Sequence, residues 1–239
     1  MTNTQNLFFS CVDSRIQDQG CMYARFHLGT FFRGQALTFA NALRRTLLSE
    51  IPGVTITDVV IEGASHEFAT LPGVEETILD ILLNLKKLVF APSISKVADL
   101  ETFHATGLLK SRGPAILTAD DIKLPVTVKC VDPTAHIATL TTGGDFSLRF
   151  ELLFRSPHHS IPSQNNQTIK NKNRKLSFET VPMPVQKVNY TIKSLNAKQG
   201  SEYIVLEVWT DGSVLPQETV QFALKNLTNL FFQFADMSK

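Results

Sequence analysis

His66 and Glu67 stand side by side, an imidazole next to a carboxylate, the residue types that move protons in general acid–base catalysis. Neighbours in a strand point to opposite faces, so ordinary loop or strand polarity is the favoured reading of this pair. His158 and His159 are metal-ligand types, but ligands must be held by rigid elements. These two lie in a polar stretch, Ser156 to Lys175, that lacks aromatic residues and reads as a mobile loop. Lys170, Lys172, Arg174 and Lys175 in the same stretch have the chemistry to touch phosphates, yet a short basic run in such a loop is more often solvated surface. Cys11, Cys21 and Cys130 are odd in number and widely spaced, which fits neither a disulfide framework nor a closed zinc site, and they read as thiols in a reducing compartment. There is no phosphate-cradling glycine loop, no nucleophile elbow, no paired metal-ligand spacing and no carboxylate cluster for magnesium. An active site or cofactor on this chain alone is therefore not expected.

Binding to partners is the remaining class, and composition limits it. A chain of 239 residues with 43% hydrophobic content buries a sizeable core, as one large domain or two modest ones. A formal net charge of +1 supplies no global field toward nucleic acid or anionic membrane. No apolar run is long enough to span a bilayer, and Met1 to Gly20 lacks the basic and apolar regions of a signal peptide and the Arg-rich pattern of a transit peptide. The reading is a soluble protein made where it works.

Two helices carry the interaction potential. Cys21 to Phe32 reads as strand, and Gln35 to Glu50 as a helix stopped by Ile51-Pro52-Gly53, because proline disfavours helix at the residue before it. Ala36, Phe39, Ala40, Leu43 and Leu47 form its apolar stripe, and Thr38, Asn41, Arg45 and Ser49 a polar stripe beside it. Val54 to Ile61 is β-branched and alternating, as in a half-buried strand. After a turn at Leu71-Pro72-Gly73, Val74 to Phe90 is expected to be a well-buried helix with Glu75 and Glu76 in its first turn and Lys86 and Lys87 near its end. Alternation marks strands at Leu124 to Cys130, Phe146 to Phe154, Lys187 to Leu195 and Tyr203 to Thr210, with turns at Asp132-Pro133, Gly143-Gly144 and Asp211-Gly212. A last helix begins near Pro216, with Ser213 or Asp211 as a cap. Its stripe is Val220, Ala223, Leu224, Leu227, Leu230, Phe231 and Phe234, with Phe222 and Phe232 off the stripe. A terminal helix with two apolar faces often needs a second chain.

Phe32-Arg33-Gly34, Thr38, Asn41 to Ser49 (NALRRTLLS) and Ile51-Pro52-Gly53 together resemble the signature of bacterial and plastid RNA polymerase alpha subunits. The blocks Ile61-Glu62-Gly63, His66-Glu67-Phe68, Gly73 to Glu76, Ile81 to Lys86, Pro184-Val185, Lys187 to Tyr190 and Glu207 to Ser213 continue the resemblance in order. It implies an α+β fold in which residues 1–53 plus 182–239 make a discontinuous dimerisation domain, two long helices on an antiparallel sheet, and 54–181 an inserted, mostly β domain. It further implies a homodimer through Phe39, Leu43, Leu47, Leu224, Leu227 and Phe231, which nucleates assembly of the two large catalytic subunits. Docking of those subunits falls by resemblance on Arg44, Arg45, Leu48, Ser49, His66, Glu67, Thr70, Gly73 and Lys86. The chain would then be a non-catalytic part of a nucleotidyltransferase, with magnesium on the large partner and DNA met only through the holoenzyme.

Some positions depart from that pattern. The family's usual His and Gly around Thr38 are here Leu37 and Ala40, which adds a methyl at a packing surface, and Ser156 to Lys175 fits the family poorly. The sequence stops shortly after its final helix, so the C-terminal DNA- and activator-binding domain is expected to be absent. With the Asn- and Lys-rich loop and no targeting segment, the expected location is the plastid stroma, with a bacterial cytoplasm as the alternative. The competing functional classes are an independent DNA-binding transcription regulator, weakened by the near-neutral charge, and a free-standing enzyme, weakened by the missing catalytic motifs.

Overall fold

A computed structural model describes residues 7–17, 20–93, 104–155, 176–178, 180–196 and 200–236. The Ser156 to Lys175 stretch, with His158, His159 and the basic run, lies outside the described residues. In chain order the elements are β1 (Phe8–Ile16), β2 (Met22–Phe32), α1 (Gln35–Ser49), β3 (Gly53–Ile61), α2 (Ile78–Lys87), β4 (Phe90–Pro92), β5 (His104–Arg112), β6 (Ala115–Thr118), β7 (Val128–Cys130), β8 (His136–Leu140), β9 (Asp145–Arg155), β10 (Leu176–Ser177), β11 (Val185–Asn196), β12 (Ser201–Thr210) and α3 (Pro216–Asp236). This is a mixed α+β chain, and it divides into two compact units. One gathers Met1–Ile51 with Met183–Lys239, the other Pro52–Ser95 with Asp99–Pro182.

In the first unit an antiparallel sheet runs in the order β1-β2-β12-β11. Alternation in β2 and β12 sends Ala24, Phe26, Leu28, Ile204, Leu206 and Val208 to one face, where they meet Ala36, Ala40, Leu43 and Leu47 of α1 and Val220 and Ala223 of α3 in a single core. Helix α1 follows from its sequence: no Gly or Pro interrupts it, and Gly34 precedes it at φ 87°, a left-handed conformation that glycine adopts without strain. Its end is closed by the Glu50 amide donating to the Thr46 carbonyl at 2.9 Å, just before Pro52. Ahead of α3, the carboxylate of Asp211 accepts bonds from the Ser213 amide (2.9 Å) and hydroxyl (2.5 Å). Those two residues close a turn, and the first backbone bond into α3 runs from Thr219 N to the Leu215 carbonyl at 3.0 Å.

In the second unit β9 is the spine of a sheet ordered β10-β3-β9-β5, and its Phe146, Leu148, Phe150, Leu152 and Phe154 are all buried. Two-stranded sheets β4-β7 and β6-β8 and the buried face of α2 (Ile78, Ile81, Leu82 and Leu85) complete the core. The helix expected over Val74 to Phe90 is shorter at both ends. Thr77 is its N-cap, in a reciprocal capping box with Asp80, so the helix starts at Ile78. Glu75 and Glu76 precede the helix, and Phe90 has already entered β4. Nor is α2 buried all round, since Leu83 is 50% exposed. Of the strand expected over Leu124 to Cys130 only Val128–Cys130 forms. Pro125 cannot donate a ladder bond, and Val126 sits in a turn, 94% exposed. Among the described residues no helix is long and apolar enough to cross a membrane.

Candidate interaction surfaces

The residues expected to pair two copies fall into three groups within the first unit. Leu43 and Leu47 have no accessible surface: they point into the chain's own core and can support an interface only from beneath. Ala40 is equally buried, so its extra methyl is spent in that core and does not stand between helices of two chains. Phe39, Leu224 and Leu227 are half-buried on the edge of the same core, with the ring of Phe39 at 5.1 Å from that of Phe31. Phe231 is 62% exposed. Every residue of α3 from Thr228 to Asp236 is exposed, so Leu230, Phe231, Phe232 and Phe234 present an apolar helix end that none of the described residues covers.

A second uncovered feature is one that hydrophobic periodicity does not mark. Strand β1 is exposed almost throughout, and Phe9, paired with Leu28, stands on the helix-bearing side of the sheet with its ring stacked on Phe26 at 5.5 Å. Phe9 remains 41% exposed. The signal was present as Phe8-Phe9 near the chain start, but the run around it has too many polar residues for periodicity to mark a strand.

On α1 the outward face collects Leu37, Asn41, Arg44, Arg45 and Leu48, spaced by helical steps and all exposed, so two leucines flank two guanidinium groups. The pair of arginines is not equivalent. Arg44 Nε donates to the Val188 carbonyl at 3.0 Å and so fastens α1 to the edge strand β11, beside a bond from the Tyr190 hydroxyl to Asn41 Oδ1 at 2.7 Å. Arg45 makes no side-chain bond among the described residues; only its carbonyl is engaged, accepting from the Ser49 hydroxyl at 2.8 Å. Arg45 therefore keeps its whole fork of donors open among the described residues, and Arg44 does not.

His66, Glu67, Thr70 and Gly73 lie together in the second unit, on the loop between β3 and α2, and Lys86 lies on the exposed side of α2. His66 and Glu67 are in exposed turns and not in a strand, next to Phe68 at 72% exposure. Gly73 has a structural reason to be glycine: its φ is 76°, and an added Cβ would sit 2.5 Å from the Cα of Gly144. Glu76 works at the base of the same loop. Its carboxylate accepts from the Thr139 amide at 2.7 Å and the Thr139 hydroxyl at 3.0 Å, and it pairs with His136 Nε2 at 2.8 Å. Burial opposes its ionisation, but the Thr139 and His136 bonds outweigh that and hold its carboxyl below the usual range.

The sheet face of the first unit away from the helices is charged but internally matched. The Tyr23 hydroxyl donates to Glu207 at 2.7 Å, Arg25 Nε lies 3.4 Å from the same carboxylate, and Lys187 sits 4.8 Å from the centre of the Trp209 ring. Among the described residues no group of three or more His, Cys, Asp or Glu side chains is arranged to hold a metal ion.

Residues 30–231 match the family model for the RNA polymerase Rpb3/Rpb11 dimerisation domain. Over its whole length the chain is 55% identical to a DNA-directed RNA polymerase subunit alpha of Chlorella vulgaris, covering 99% of that protein. It is 38% identical to a protein of the same name from Cyanidium caldarium (96% of this chain, 72% of that one) and 37% identical to one from Zea mays (97% and 65%).

Proposed function

Because the chain belongs to the alpha-subunit family of DNA-directed RNA polymerase, we propose that it works as a homodimeric scaffold on which the two large catalytic subunits assemble. The observation that carries this is the bare end of α3, where Leu230, Phe231, Phe232 and Phe234 are 46–66% exposed. Covering such side chains contributes up to about 1.5–3 kcal/mol each, and two-fold symmetry uses every contact twice. In this reading residues 1–53 plus 182–239 are the dimerisation domain and 54–181 the insert, and the interface is built from Phe39, Leu224, Leu227 and Phe231 over a floor of Leu43 and Leu47. The partner's α3 end also covers Phe9.

Docking of the large subunits uses Arg45 with Leu48 and Ser49 on α1, and His66, Glu67, Thr70 and Lys86 on the second unit. Arg45 is central because its planar donors suit a carboxylate or backbone carbonyls on the partner. The chain performs no chemistry of its own; magnesium and phosphoryl transfer belong to the large subunits, and DNA is met only through the assembled enzyme. The relatives in Chlorella, Cyanidium and Zea support a plastid location, the stroma, for this chain as well. An independent DNA-binding regulator is not favoured, since the relatives are named polymerase subunits.

The reading is tested by two substitutions with opposite expected profiles. Leu227→Asp should give monomer or aggregate and lose capture of the large subunits. Arg45→Ala should remain a dimer and lose capture in a pull-down. A folded dimer for Leu227→Asp would remove the proposed interface; unchanged capture by Arg45→Ala would remove the proposed docking role.

A further inference from the structure

The loop from Glu62 to Thr77 exposes His66, Glu67 and Phe68, yet its backbone is tied at many points within the second unit. The Glu62 amide donates to the Ser147 carbonyl at 2.9 Å, the Glu75 amide to the Thr139 carbonyl at 3.1 Å and the Ile78 amide to the Ala69 carbonyl at 3.1 Å, while the Thr141 amide donates to the Gly73 carbonyl at 3.0 Å. Isolated bridges join Thr70 to Thr77 and Val74 to Leu140. The loop is thus a docked segment, and its main-chain ties to β8 and to Thr141 just after it fall at its C-terminal end, Gly73 to Glu75.

One side chain reinforces that end. Among the described residues Glu76 is the loop carboxylate that takes three donors, two from Thr139 and one from His136, and both donor residues belong to β8. Its side chain is 19% exposed, so these bonds are sheltered from water more than an ordinary surface pair would be. Glu67 and Glu75 in the same loop are exposed. A loop that presents a recognition edge to a partner costs less to bind when it is already fixed, because the ordering has been done before association.

We infer that Glu76 is a positioning residue: its carboxylate holds the His66–Phe68 edge in the conformation that captures a large polymerase subunit, without touching that subunit itself. The inference rests on the docking role proposed above for this loop.

The experiment uses the intact chain, measures capture of the cognate large subunit by the purified dimer, and follows amide hydrogen exchange in the same samples. Glu76→Ala should weaken capture about tenfold and speed exchange across residues 62–77, while amides of α2 and β9 stay protected. Glu76→Gln keeps an acceptor for the Thr139 amide and hydroxyl and should recover most of the loss; a role through bulk packing would not distinguish it from alanine. Thr139→Val keeps volume and deletes the hydroxyl donor, so it gives the same test with a smaller loss, about threefold, should the alanine variant fail to fold. Phe68→Ser separates this inference from the reading beneath it. If Phe68→Ser weakens capture and neither Glu76→Ala nor Thr139→Val does, the positioning role is overturned and the docking role stands. If exchange rises across α2 and β9 as well, Glu76 is a general structural residue and the inference fails. If Phe68→Ser leaves capture unchanged, the loop is not a docking edge and both fall.

Discussion

The two units of this chain differ in how completely they bury their own apolar surface. In the second unit the spine β9 places five apolar side chains inside, and α2 keeps Ile78, Ile81, Leu82 and Leu85 against them. In the first unit α1 is equally spent, with Ala36, Ala40, Leu43 and Leu47 at zero exposure, but α3 is not. At 21 residues α3 is about 31 Å long, and its last nine residues carry four large apolar side chains that none of the described residues covers. Two helices with similar apolar stripes thus have opposite fates. Periodicity tells which face of a helix is apolar; whether that face is covered is decided by what packs on it in three dimensions.

That contrast breaks most visibly if the bare helix end is made polar. Phe231→Asp combined with Phe234→Asp should abolish the dimer at micromolar concentration and leave the thermal transition of the second unit in place, read by light scattering and calorimetry together. A core change in α1 should do the reverse. Leu47→Ala leaves a cavity under the helix and should cost about 2–5 kcal/mol of first-unit stability, seen as a lowered denaturant midpoint. Arg45→Ala touches neither core and should cost about 2 kcal/mol in capture of a large subunit, with an unchanged melting temperature. Arg44→Ala should lower stability instead, since it removes the bond to the Val188 carbonyl.

The smallest effect separates the units by acid. Glu76 in the second unit has a carboxyl held below its ordinary value of 4.5, so its contribution is fully present above that pH and is lost as pH falls through the folded value. Asp211 in the first unit is shifted the other way: burial raises its carboxyl above the ordinary 3.8, with the Ser213 bonds opposing. Its ionised form therefore carries a cost at neutral pH that is relieved as pH falls. Amide exchange followed from pH 6 downward should show protection falling first around β8 and the 62–77 loop; equal loss in both units would contradict this assignment.

Much of the architecture was legible because it follows from local rules. Gln35–Ser49 lies between Gly34 and Pro52 with nothing to interrupt it, and the burial of β9 alternates from Asp145 to Phe154. The misreadings have local causes too. Glu75 and Glu76 have the charge for a helix start, but Thr77 and Asp80 form a better cap two residues later, and Glu76 finds stronger partners on β8. Pro125 broke an alternation that looked like strand. The residues proposed for interaction were less legible. The stripe Phe39, Leu43 and Leu47 carries no mark to distinguish a floor from a contact, and only three-dimensional burial separates the leucines from Phe231. Arg44 and Arg45 are adjacent and chemically identical, and nothing in sequence says that one grips β11 and the other is left open.

The most direct test of the claim that the first unit is completed by a second copy is sedimentation equilibrium on the unmodified chain at micromolar concentration. A dimer of twice the 26.6 kDa chain mass, with Phe231 and Phe234 protected from solvent in a labelling experiment, is the predicted result. A folded monomer with those phenylalanines accessible would contradict it.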